Sequence, residues 1–261
     1  MTLLFHELRR NRLSLIIWSA AISFMLAVCI IIYPEMSLQM EEISTMFADM
    51  GAFTSAFGMD QLNFGEFMGY FGIECGNTLG LGGAIFAAIL GATELSKEEK
   101  EGTAEFLLTH PISRVRVITE KLLSVILQLV LLNAAVIVVT FACVGIIDVE
   151  VDFAKLALVF LAYFLLQLEF AALTFGVSAF MRGGSLGIGL GLVFGTYFLN
   201  ILANLTEDAK PLKYITPYGY ADGAHIIPEG AIEMKYLAVG IVFTVVGIVA
   251  AYIKYTKKDI T

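Results

Sequence analysis

Six apolar runs, each long enough to cross a bilayer, leave this chain of 261 residues few ways to fold. A helix needs about 20 apolar residues to span the hydrocarbon core. The runs cover residues 13–33, 66–92, 117–147, 154–180, 186–205 and 235–255. In lipid, backbone polar groups must be satisfied internally, so each run is read as a helix. The expectation is one all-α integral membrane domain over residues 1–261. Composition agrees: 58% of residues are hydrophobic and 15% charged, where a soluble domain is nearer a quarter charged. The second run is the least clean, with Glu66, Glu74 and Asn77 in its first half. The third and fourth exceed a perpendicular crossing, which predicts tilt or extension beyond the bilayer. The first lacks a small-x-small cleavage pattern and reads as a retained span, not a signal peptide.

Orientation follows from the Lys/Arg bias of the short loops. With both termini in the cytoplasm, Lys155, Lys210, Lys213 and Lys235 fall outside and the other twelve of the 16 basic residues inside. Two outer loops exceed simple connections. In the first, Met36, Met40, Ile43, Phe47 and Met50 recur at helical spacing, which predicts an amphipathic interfacial helix. The second, 206–233, carries Pro211, Pro217 and Pro228 with Tyr214, Tyr218 and Tyr220, aromatics suited to the headgroup belt.

Several chemistries are excluded. GxxxxGK[ST], HExxH and GxSxG are all missing, so no nucleotide, zinc-protease or serine-hydrolase signature is present. Glu98-Glu99 is followed by Lys100-Glu101-Gly102-Thr103, without the arginine that paired-glutamate membrane proteases require. Cys29, Cys75 and Cys143 form no CxxC or CxxH pair, and His6, His110 and His225 are far apart. Gly187, Gly189 and Gly191 lie within a span, where small residues mean close helix packing. A net charge of −8 argues against nucleic acid. The chain is therefore expected to be no enzyme, with no metal or cofactor of its own.

Between the second and third runs lies a charged island, Glu94 to Arg116. Ser96-Lys-Glu-Glu99 fits a capping box that would start a short surface helix. Gly102-Thr103 interrupts it, and Thr103 starts a second turn presenting Phe106, Leu107 and Leu108 beside Glu105. Pro111 ends that turn, and Ser113 caps the next span with Arg114 and Arg116 near the headgroups. A mere connector needs no Phe-Leu-Leu turn between two breakers. Such a turn suits a hydrophobic cleft on a soluble partner.

The run Glu-Lys-Glu-Gly-Thr-Ala-Glu-Phe-Leu-Leu-Thr-His-Pro-Ile-Ser-Arg resembles the signature of type-2 ATP-binding-cassette (ABC) permeases. There, a Glu-x-x-x-Gly-Thr-x-Glu-x-Leu-Leu-x-x-Pro-Ile-Ser-Arg-like segment follows the second span. The matching positions are Glu98, Glu101, Gly102, Thr103, Glu105, Leu107, Leu108, Pro111, Ile112, Ser113 and Arg114, with Phe106 beside them. The start, Phe5-His-Glu-Leu-Arg-Arg-Asn-Arg, resembles the family's amphipathic connecting helix. The resemblance implies a cytoplasmic coupling helix seated in a cleft of a separate ATPase subunit, present in two copies, that binds ATP and magnesium. It implies a second permease copy or paralogue and a plasma-membrane location. It also implies export of a hydrophobic or amphipathic substrate: an antimicrobial peptide, a drug or a lipid-like molecule. ATP-driven Na⁺ extrusion and a non-transporting immunity or sensor role stay open beside it.

Ionisable and polar residues within spans are functional hypotheses by default. Glu169 is the deepest, with Arg182, Arg9 or Gln128 as expected partners and a structural or gating role. Glu74 with Asn77, nearer the outer side, reads as interface solvation or an outer gate. Gln128, Asn133, Gln167 and Asn200 are expected to hydrogen-bond between helices or to line a substrate path.

Overall fold

The computed structural model describes residues 2–39, 51–56, 62–63, 65–98, 102, 113–181 and 186–257. Six of its helical stretches are long and apolar enough to cross a membrane. In chain order the α-helices are α1 (Thr2–Leu38), α2 (Ala52–Ala56), α3 (Phe67–Cys75), α4 (Gly82–Glu94), α5 (Arg114–Ile147), α6 (Phe153–Ser178), α7 (Leu186–Leu205), α8 (Gly223–Glu229) and α9 (Met234–Lys257). A π-helical segment, Gly76–Leu81, joins α3 to α4 within one span.

The N-terminal amphipathic stretch is continuous with the first span, not a separate helix. From His6 to Leu13 nothing breaks the helix: Glu, Leu and Arg are strong helix formers, and the first proline is Pro34. The first-turn N–H groups of α1 find their acceptor on another helix: Leu3 and Leu4 donate to Glu120 Oε2 at 3.1 and 3.2 Å. A carboxylate there suits both the orphan donors and the helix dipole. Ser113 caps α5, accepting from the Arg116 N–H at 3.3 Å as its position predicts. Asp152 caps α6 from the Ala154 and Lys155 N–H groups.

The second and fourth spans form the centre, burying most of their most apolar stretch, whereas α1, α7 and α9 bury only 22%, 17% and 22% of theirs. Exposed Ile16, Phe24, Val138, Phe198 and Val245 make the lipid-facing surface such spans require. Gly83 meets Gln167 and Gly91 meets Thr174; Gly240 meets Glu169 and Gly176 meets Gly247. Sequence order rises together in each pair, so α4, α6 and α9 run in one direction. Phe71, Phe86, Phe170 and Phe175 fill the core. In the glycine triplet, Gly189 lies against Ala88 and Ala92, while Gly187 and Gly191 face open space. Close packing there is the work of one residue.

The 206–233 segment departs from a surface loop. It folds as two 3₁₀ turns, Glu207–Tyr214 and Pro217–Gly219, then α8. Tyr214 is exposed, but Tyr218 and Tyr220 are 4% and 2% exposed, packed into the bundle rather than in a headgroup belt. The amphipathic helix expected after Met36 falls on residues 40–50, outside those described; α1 itself carries Met36 and Leu38.

Candidate functional site

At the end of the bundle that holds both termini, three carboxylates and two ammonium groups are buried together. Lys121, on α5, is wholly buried. Its Nζ lies 3.2 Å from Glu7 Oε1 of α1, donates to the Glu94 carbonyl at 2.8 Å and pairs with Glu98. Lys97 bridges Glu7 and Glu94, the latter at 2.9 Å. The network ties α1 and α5 to the chain just beyond α4. Leu95 adds an apolar anchor, packed with Val117, Ile118, Phe175, Ala179, Ala251 and Tyr255. Buried ions in such a cluster lose hydration and depend on one another for compensation. Among the described residues compensation is incomplete: Glu94 Oε1 and Glu98 Oε2 have no hydrogen-bond partner there.

This network brackets the charged island. Of the residues read from sequence as touching an ATPase, Glu98 points inward to Lys121. Ser96 Oγ donates back to the Ala92 carbonyl at 3.2 Å, and a new helical turn starts directly after it, at Lys97. Gly102 has φ +69°, a left-handed backbone that suits glycine. Ser113 caps α5, and Arg114 reaches the Thr256 carbonyl of α9 at 3.4 Å. Glu101, Thr103, Glu105, Phe106, Leu107, Leu108 and Pro111, with Glu99 of the capping box, lie outside the described residues.

Sequence reasoning did not single out Glu7, Glu94, Lys97 and Lys121. A local signal existed: Glu94, Lys97 and Glu98 stand at i, i+3 and i+4, one helix face. What that face meets is tertiary.

Deeper in the bundle, Glu169 is buried, and its partner is neither Arg9 nor Gln128: Tyr220 donates to its Oε2 at 2.9 Å. Gln128 bonds within its own turn to Ser124, and Arg182 lies outside the described residues. Burial holds the Tyr220 phenol far above its usual range, so it remains a donor to the carboxyl. Sequence missed this pair because a loop tyrosine was placed at the headgroups. Tyr220→Phe removes the donor and is expected to cost about 1–3 kcal/mol. Unfolding in mixed micelles checks this: the midpoint falls in Tyr220→Phe and is largely restored in the Glu169→Leu/Tyr220→Phe double variant, which removes both polar partners. Asn133 Nδ2 donates to Gln167 Oε1 at 2.6 Å, the interhelical bond expected of such residues. Glu74 accepts from Cys29 Sγ at 3.4 Å, on the α1 side, while Glu169 faces α9. The structure does not bring these two acids together.

The chain is thus a polytopic helical bundle whose buried charges stand on either side of the segment between its second and third spans. The chain matches the sequence profile described as ABC-2 family transporter protein over residues 1–260, and it belongs to that family. No curated protein matches it at a significant level. It is a multi-pass permease subunit of an ABC transporter, and the family implies an ABC ATPase partner.

Proposed function

We propose that the chain is the membrane-spanning half of an ATP-driven exporter, working as a permease dimer with two ATPase subunits and both termini in the cytoplasm. The substrate is hydrophobic or amphipathic and moves out of the cell. The observation that carries this reading is the Glu7–Lys97–Glu94–Lys121–Glu98 network with Leu95 beside it. It makes the chain flanking 99–112 rigid with four spans, so a push on that loop has a stiff path into the membrane. ATP acts through the partner, because this chain carries no phosphate-binding motif. Closure of the ATPases shifts the permease only by interacting differently with its two states. Glu101, Gly102, Thr103, Glu105, Phe106, Leu107 and Leu108 are the proposed ATPase contact, and Pro111, Ser113 and Arg114 its hinge into α5.

The test is affinity purification of the tagged chain from its native membrane beside a Leu107→Asp/Leu108→Asp variant. An ATPase with a phosphate-binding loop is expected with the wild type and lost, at least tenfold, in the variant. Equal recovery with both removes the coupling role from this turn. Recovery with neither, under gentle detergent, favours a non-transporting immunity or sensor role. Na⁺ extrusion draws less support, since its two candidate acids, Glu74 and Glu169, face different helices.

A further inference from the structure

At the end of the bundle opposite the charged base, a cleft of about 70 Å³ opens beside the π-helical segment. Single π turns inside α-helices recur at functional sites, because the extra residue re-aims the side chains around it. Here the segment carries Asn77 into the cleft wall. Gly76 leaves room for Tyr163, whose hydroxyl oxygen would stand 2.8 Å from any Cβ at that position. The facing wall comes from α7, with Asn200 and Asn204, and from the re-entrant segment, with Tyr218 and Asp222.

Three features define what this cleft takes. First, it has unmet hydrogen-bonding capacity: Asn200 Oδ1 and the Tyr218 hydroxyl are buried without a partner among the described residues. Buried polar groups are normally satisfied, and each exception calls for an explanation. Asn200 Oδ1 only accepts, so its missing partner is a donor; burial keeps the Tyr218 phenol protonated, able to donate or accept. Second, the wall is neutral among the described residues. Its one carboxylate there, Asp222, is engaged by Lys213 Nζ at 3.2 Å and by the Ala224 N–H at 3.0 Å. Third, the volume is small. A water needs roughly 10–15 Å³ measured this way, so the space holds a group of a few heavy atoms.

We propose that this cleft binds the neutral, hydrogen-bonding head of an amphipathic molecule, a hydroxyl or carboxamide group that donates to Asn200 Oδ1 and exchanges a hydrogen bond with Tyr218. Its apolar tail stays in the lipid phase. The inference rests on the export reading for the identity of this molecule as substrate. Binding is measured without the ATPase, so failure here and failure of coupling are separate results.

Three probes with matched twelve-carbon tails make the test: 1-monolaurin, dodecanamide and dodecyltrimethylammonium. Each is titrated against the full chain in nanodiscs, reading the thermal unfolding midpoint. Monolaurin and dodecanamide are expected to raise the midpoint saturably and dodecyltrimethylammonium to leave it unchanged. Asn200→Leu and Tyr218→Phe are each expected to weaken the two neutral probes by about tenfold, one hydrogen bond's worth. Neither lowers the midpoint of the ligand-free protein, because each removes an unpartnered group. A response to monolaurin alone keeps the proposal and points to lipid as the source; a response to dodecanamide as well points to a broader substrate range. Equal shifts from all three probes, a preference for the cation, unaltered affinity in both variants, or no shift with any probe (a cleft that holds water only) overturns it.

Discussion

Replacing Lys121 by methionine is expected to destabilise the base of the bundle by about 3–5 kcal/mol, the range for removing one partner from a buried ion cluster. Methionine matches the lysine stem in volume, so the loss is one of charge and not of packing. Lys121 is wholly buried and touches Glu7, Glu98 and the Glu94 carbonyl. Without it, Glu7 and Glu94 share the single ammonium of Lys97, and Glu98 loses its only cation among the described residues. Lys97→Met should cost less, since that side chain is 10% exposed and water can take part of its role. The expected consequence reaches function as well. Glu98 stands four residues before Gly102, so an unanchored Glu98 loosens the entrance to the proposed ATPase contact. Unfolding in mixed micelles and ATP-dependent transport in vesicles read the two effects. Adding Glu98→Gln to Lys121→Met is expected to recover part of the lost stability by lowering the stranded charge. No recovery in that double variant shows that lysine packing, not charge balance, holds the base.

The spans were legible because twenty apolar residues in a row have one good solution in lipid. The helices begin and end within a few residues of the apolar runs, apart from α1, where the polar stretch before Leu13 continues the helix. Ser113 was legible as a cap because capping is local chemistry between neighbours. What the sequence could not give is which faces meet. Glu7 and Lys121 are 114 residues apart, and only the packing of α1 against α5 joins them. Tyr220 looked like an interfacial aromatic because composition does not reveal that its loop folds back into the bundle. Glu169 was expected to meet Arg182, Arg9 or Gln128; among the described residues a phenol meets it. The π segment left a trace in Gly76-Asn-Thr-Leu-Gly80, small residues in an otherwise bulky span, but nothing in that spacing separates a π turn from close packing.

Gly91→Leu is expected to part the two central spans and to prevent accumulation of folded protein in the membrane. A Cβ at Gly91 would stand 2.3 Å from the Ala171 carbonyl oxygen, 2.3 Å from Thr174 Oγ1 and 2.9 Å from the Phe175 nitrogen. Ordinary contact begins at 3.4 Å, so α4 has to retreat from α6 by about an ångström, and neither backbone atom belongs to a side chain that can turn aside. Thr174 Oγ1 is also held, donating to the Phe170 carbonyl at 2.7 Å. In water, a forced gap is partly offset by rearranged apolar contacts. Between membrane helices association rests on close packing itself, because lipid tails are as apolar as the side chains they replace. Overpacking costs about 1–3 kcal/mol where side chains can adapt, and a clash with fixed backbone belongs at or above that upper end. Alanine carries the same Cβ, so Gly91→Ala should already be damaging, an unusual outcome for a residue that otherwise favours helix. Gly187 and Gly195 supply the control, with open space where their Cβ atoms would go. Gly187→Ala and Gly195→Ala are expected to leave the unfolding midpoint unchanged or higher. A Gly91→Ala protein as stable as the wild type would mean that α4 and α6 stand farther apart in the bilayer than these contacts require, and the stiff centre through which the charged base is proposed to act would be lost with them.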